Sequence, residues 1–283
     1  MFVAIRDVLV KSIGFNNVFE GLRWLGLNNI ELAVNKEFKA VAFAYLDLSD
    51  KHNLDNLASR LKENNTKVCA LLLENDFASE DIKREIEYVK KGIKIAEELN
   101  VKVVRINAVM KLRRNWTLER AVEVTVDVIK QILNHEDNIW LAIENHGVVS
   151  NRREFLRELF KRTEGLPVGL TLDTCNFYWY GYPLNEVYEI YEEFSKHVKH
   201  THIKNATSIG PKGEYRNYGS VKMQPLYNGD IDLKKAIQIL KDGGYDHDLT
   251  IEDESLGRYS IDERRKILIK DVQFLREVLK ELR

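Results

Sequence analysis

Short apolar runs alternate with amphipathic segments of helical period along almost the whole chain. The run KVCALLLEND (67–76) has the length and composition of a strand, and after it Ile82, Ile86, Val89, Ile93, Ala96 and Leu99 recur at steps of three and four, one face of a helix. VKVVRIN (101–107) predicts the next strand. The alternation continues with a helix over 117–133, IWLAIEN, a helix over 151–162, VGLTLDT (168–174), a helix over 185–196, VKHTHIK (198–204), a helix over 232–241 and DLTIEDE (248–254). A closing helix carries Leu268, Val272, Leu275 and Leu279 on one side. Upstream, FVAIRDVLV, a helix near 17–26, NIELAV and a helix near 54–64 supply two further strand–helix units.

Strand–helix alternation implies parallel pairing through right-handed crossovers, and eight such units close most economically into a (β/α)8 TIM barrel. An open doubly wound sheet is the alternative, but the first strand-to-helix turn, KSIGFNN, lacks GxGxxG. No Gly-rich linker or composition shift divides the chain, so residues 1–283 are expected to form one domain. One connection is long for a compact domain: residues 205–230, rich in Gly, Tyr and polar residues, follow strand seven and predict a lid or substrate-binding loop.

Composition agrees with an enzyme-sized globular fold. Hydrophobic residues make up 44% and charged residues 31%, enough for a large core and a solvated helical shell. The formal net charge is -1 with no long basic run, which argues against a nucleic-acid partner. No segment reaches the roughly 20 apolar residues of a membrane span, and no leader pattern opens the chain, so a soluble cytoplasmic protein is expected. The two cysteines, Cys69 and Cys175, lie on different elements and form no CxxC pair, which fits a reducing compartment.

The spacing of charged residues at strand ends carries the chemistry. Glu144 ends strand five, Asp173 ends strand six in LTLDTCN, and His202 lies in HTHIKN of strand seven, each 29 residues after the last. One βα unit of that length puts the three at equivalent places on consecutive strands. Strand eight adds Glu252 in LTIEDE, with the extra length taken up by the loop at 205–230. Three carboxylates and one imidazole converging at the C-terminal mouth of a barrel form an oxygen-rich set suited to one divalent ion, Mn²⁺, Co²⁺, Mg²⁺ or Zn²⁺.

Through LAIENHG, LTLDTCN, HVKHTHIKN, NGDIDLKKAIQILKDGGY and LTIEDES, the chain resembles the xylose isomerase-like TIM barrels, which include ketose 3-epimerases, hydroxypyruvate isomerase, inosose dehydratase and endonuclease IV. The resemblance is clear over about 100–270 and architectural before that. It implies that Glu144, Asp173, His202 and Glu252 ligate the metal and that the two glutamates also act as an acid/base pair. A sugar, keto-sugar or polyol would be the substrate and a cis-enediolate the intermediate, with homo-oligomers common among relatives. Isomerisation or epimerisation is the expected outcome, a dehydratase of the inosose or dehydroshikimate kind the alternative. An abasic-site endonuclease is less well matched: Asn176 replaces the histidine of the DTxH pattern, and residues 203–246 hold no histidine for a multinuclear zinc cluster.

Further candidates surround this set. Lys204, two residues after His202, is expected to polarise a substrate oxygen or hold a carboxylate. His146 and Asn176 are placed to meet substrate hydroxyls, Arg105 and Asn107 to bind substrate hydroxyls or an anion, and Arg258 to grip a phosphate or carboxylate. Tyr178, Trp179 and Tyr180 offer either an apolar wall for a sugar or packing for the loops. His200 is expected to be structural and Cys175 a bystander.

Overall fold

The computed structural model describes residues 1–133 and 138–282. Eight strands, β1 (Phe2–Arg6), β2 (Asn29–Val34), β3 (Lys67–Leu73), β4 (Val103–Ile106), β5 (Trp140–Glu144), β6 (Val168–Asp173), β7 (Val198–Ile203) and β8 (Asp248–Ile251), pair in parallel in that order. Parallel pairing of β1 with β8 closes the ring, so the fold is a (β/α)8 TIM barrel. Its strands are buried on both faces, which is why they read as apolar runs.

The outer layer follows from the helical periodicity. The helices Val18–Leu25, Lys51–Glu63, Ile82–Glu98, Leu118–Ile132, Arg153–Arg162, Leu184–Phe194, Leu233–Asp242 and Ile261–Glu281 each follow a strand and turn an apolar stripe inward. The last begins in a capping box: Ser260 N donates to Glu263 Oε2 at 2.9 Å, and Glu263 N returns a bond to Ser260 Oγ. None of the helices, among the described residues, is long and apolar enough to cross a membrane.

Two segments depart from expectation. FVAIRDVLV is not one strand: β1 stops at Arg6 and Asp7–Ser12 forms a short helix. Asp7 stands in its first turn, and its Oδ2 accepts from Ala33 N of β2 at 3.3 Å, so the acid ends the strand by serving its neighbour's backbone. Residues 205–230, expected as a lid or substrate-binding loop, carry secondary structure of their own. Asn205–Ser208 and Val221–Gln224 pair antiparallel as a hairpin. Tyr178 is fully buried beneath it, donates to Asp230 Oδ2 at 2.9 Å and lies 4.2 Å under the Arg216 guanidinium, while Trp179 packs on Tyr218. Of the two roles open to these aromatics, loop packing is the one observed for Tyr178 and Trp179.

Candidate metal centre

The register of the last four strands delivers the predicted cluster. Asp173 is paired with His202 across β6 and β7, and His202 with Thr250 across β7 and β8, so Glu144, Asp173, His202 and Glu252 share one level at the C-terminal end of the barrel. All four are buried, and one ligand atom from each lies within 4.8 Å of the others. The turns hold them there. Asn145 Oδ1 accepts from Asp173 N at 2.8 Å, pinning one strand end to the next. Gly147 has φ +72°, and a Cβ there would meet the Met110 carbonyl oxygen at 2.6 Å, so this close turn after β5 requires glycine.

Glu144 sits in a closed cage. The Arg105 guanidinium bonds its Oε2 through Nε and Nη2, Asn176 Nδ2 donates to its Oε1 at 3.0 Å, and His202 Nδ1 lies 3.4 Å from Oε2. Burial alone would raise its pKa, but Arg105, His202 and His146 outweigh burial and hold the carboxyl well below the usual range. Glu252 bonds the Arg6 guanidinium through Oε1, while its Oε2 lies 2.9 Å from both His202 Nδ1 and Lys204 Nζ. Asp173 Oδ1 accepts from Cys175 N and Asn176 N, and its Oδ2 lies 2.9 Å from Lys204 Nζ. Burial pushes its pKa up, partly offset by Lys204.

The residues fit a divalent ion on two counts. Asp173 Oδ2, His202 Nδ1 and Glu252 Oε2 are buried and, despite these short ionic contacts, none has a partner in hydrogen-bond geometry. Charge is also left over. The carboxylates of Glu31, Glu144, Asp173, Glu252, Glu254 and Asp248 outnumber the cations they contact, Arg6, Arg105, Lys204 and His200.

The other candidates are placed as follows. Lys204 is buried and bridges Asp173, Glu252 and Glu254; burial lowers its pKa, but the carboxylates of Asp173, Glu254 and Glu144 outweigh burial and raise it. His146 is the open member, its side chain 41% exposed, 3.2 Å from Arg105 Nη2 and with burial lowering its pKa. Arg105 spends its donors on Glu144, His146 and the Leu73 carbonyl, so it seats Glu144 rather than offering a free guanidinium. Asn107 is cross-bonded to Asn75, which leaves its Oδ1 unpartnered. Asn176 touches Glu144. Arg258 is exposed and bonds the Met223 carbonyl of the hairpin, which ties down that segment. Cys175 contributes only its backbone N–H, and both cysteines are free.

Sequence reasoning missed Arg6, Glu31, Asn145 and Glu254. Glu31 Oε1 lies 2.7 Å from His202 Nε2 and 2.8 Å from His200 Nε2, and His200 Nδ1 lies 2.8 Å from Asp248 Oδ2. Burial works against ionising this group of residues, yet the pairing prevails: Glu31 is held well below the usual range and His200 is raised to about 10. A charged residue in the apolar run NIELAV was the available signal.

A closed parallel barrel with a buried carboxylate–histidine cluster at its C-terminal mouth is the class that fold and site define. The chain belongs to the xylose isomerase-like TIM-barrel family, whose profile matches residues 19–278. No protein of curated function matches it by sequence. Among solved structures it resembles the zinc-bound IolI protein (19% identity, TM-score 0.75, 100% of this chain and 99% of that one). It also resembles a D-tagatose 3-epimerase-like protein (17%, 0.72, 100% and 98%). A third is the probable 3-DHS dehydratase AsbF of Bacillus anthracis (16%, 0.70, 97% and 98%). At such identities the likeness is one of fold.

Proposed function

We propose that this protein is a divalent-metal-dependent isomerase or epimerase of a small sugar or keto-sugar. The observation that carries this reading is the convergence of Glu144, Asp173, His202 and Glu252, with three ligand atoms unpartnered in a buried site. These four residues would hold the ion. When bound, it would supply Lewis-acid charge to polarise a carbonyl and the neighbouring hydroxyl.

The protein's own groups do the rest. Glu144 and Glu252 flank His202 Nδ1 and are the groups able to take a proton from a substrate carbon and return one. Return to the same carbon epimerises; return to its neighbour exchanges aldose and ketose. Lys204, held on Asp173 and Glu252, can orient a substrate oxygen, and half-exposed His146 can donate to a hydroxyl at the mouth. The small-molecule sugar partner is supported by the family and by neighbours named as epimerases.

The first test is metal content of protein purified without chelator and then reconstituted with Mn²⁺, Co²⁺ or Zn²⁺. About one tight ion per chain, lost in Asp173→Asn, is expected. No ion in the wild type would sink the proposal, and about three zinc ions would favour a phosphodiesterase. Net loss of water with an ultraviolet-absorbing product would assign the same site to a dehydratase instead.

A further inference from the structure

Beneath the four candidate ligands lies a second layer of buried ionic groups. Glu31 Oε1 meets the Nε2 atoms of His202 and His200, its Oε2 lies 3.2 Å from Arg6 Nε, and His200 reaches on to Asp248 at the start of β8. An ionised carboxylate oxygen can only accept, so short contacts to two imidazoles place a proton on each Nε2. For His202 the other ring nitrogen, Nδ1, is the atom beside Glu144 and Glu252.

We propose that Glu31 is a positioning residue of this centre: it holds a proton on His202 Nε2, fixes the ring, and so presents Nδ1 to the ion. His200, bridging Glu31 and Asp248, keeps the Glu31 carboxylate turned toward His202. Glu31, His200 and His202 are themselves close enough to surround an ion. Coordination there would require His202 Nε2 to lose its proton, which gives the proposal a direct opposite. The effect on the ion rests on the proposed function; the placement of the proton does not.

Long-range ¹H–¹⁵N spectra of histidine-labelled protein, zinc-free and zinc-loaded, test it. His202 Nε2 is expected to be protonated and slow to exchange with solvent in both samples. In Glu31→Gln, zinc affinity measured against a chromogenic chelator is expected to fall by roughly 10- to 100-fold, and the Nε2 proton to exchange faster. A bare or zinc-bound Nε2 in the wild type, or Glu31→Gln affinity within about twofold of wild type, overturns the proposal. A wild type that takes up no zinc would retire the proposed function while the Nε2 proton still decides the role of Glu31. If Glu31→Gln does not fold, the wild-type spectra decide alone.

Discussion

Glu144 and Glu252 close the candidate site from opposite sides, and they are seated differently. Glu144 is caged by Arg105 and Asn176, all three buried, and each carboxylate oxygen has a fixed donor. Glu252 shares its partners: Arg6 also serves Glu31 and its side chain is 18% exposed, while Lys204 is divided among Asp173, Glu252 and Glu254. A rigid planar guanidinium on a carboxylate sets direction; a long ammonium stem shared by three acids leaves freedom. Glu144 is therefore the more rigidly seated of the two and Glu252 the more loosely seated.

The largest expected difference between the two seats is in stability. Arg105→Met strands the buried Glu144 charge and is expected to cost about 3–5 kcal/mol. Arg6→Met, whose partners keep other cations and which water can reach, should cost roughly 1–2 kcal/mol. Denaturant unfolding of the two variants measures this; equal costs would erase the asymmetry.

Asp7, next to Arg6, probes the looser side through pH. Burial pushes its pKa up to about 8, partly offset by the Ala33 N–H and by Arg6. The folded chain then binds a proton that the unfolded chain releases near pH 4. Its contribution is fully present below that value and is lost as pH rises through about 8, with a slope approaching about 1.4 kcal/mol per pH unit. Asp7→Asn should flatten this part of the stability–pH curve, read from melting at several pH values. An unchanged curve would show that Asp7 titrates normally.

Lys204 gives the smallest and most diagnostic effect. Its ammonium lies on Asp173 Oδ2 and Glu252 Oε2, the atoms a bound ion would use. Lys204→Met should therefore tighten divalent-ion binding by about tenfold while turnover falls, the opposite signs expected of a competing charge that also orients substrate. Weaker ion binding in that variant would make Lys204 a support of the site rather than a competitor.

The sequence made one side of this comparison far easier to read than the other. Glu144, Asp173 and His202 stood out because equal βα units put charged residues at equal strand ends, and the alternation of apolar runs marked the barrel. Arg6 and Glu31 did not, because their importance comes from ring closure: β1 becomes a neighbour of β8 only in three dimensions, bringing Arg6 to Glu252 across 246 positions. FVAIRDVLV hid a strand end because seven apolar residues interrupted only by Arg6 and Asp7 fit one strand or a strand followed by a short helix equally well. The hairpin at 205–230 was obscured by glycine and polar residues, although Tyr178, Arg216 and Asp230 tie it down through tertiary contacts.

The most direct test of the account is deuterium incorporation from D₂O into a panel of ketopentoses and ketohexoses by the metal-loaded protein. The account predicts exchange at the carbon beside the carbonyl with the wild type and its loss in both Glu144→Gln and Glu252→Gln. Exchange retained by both variants would contradict it.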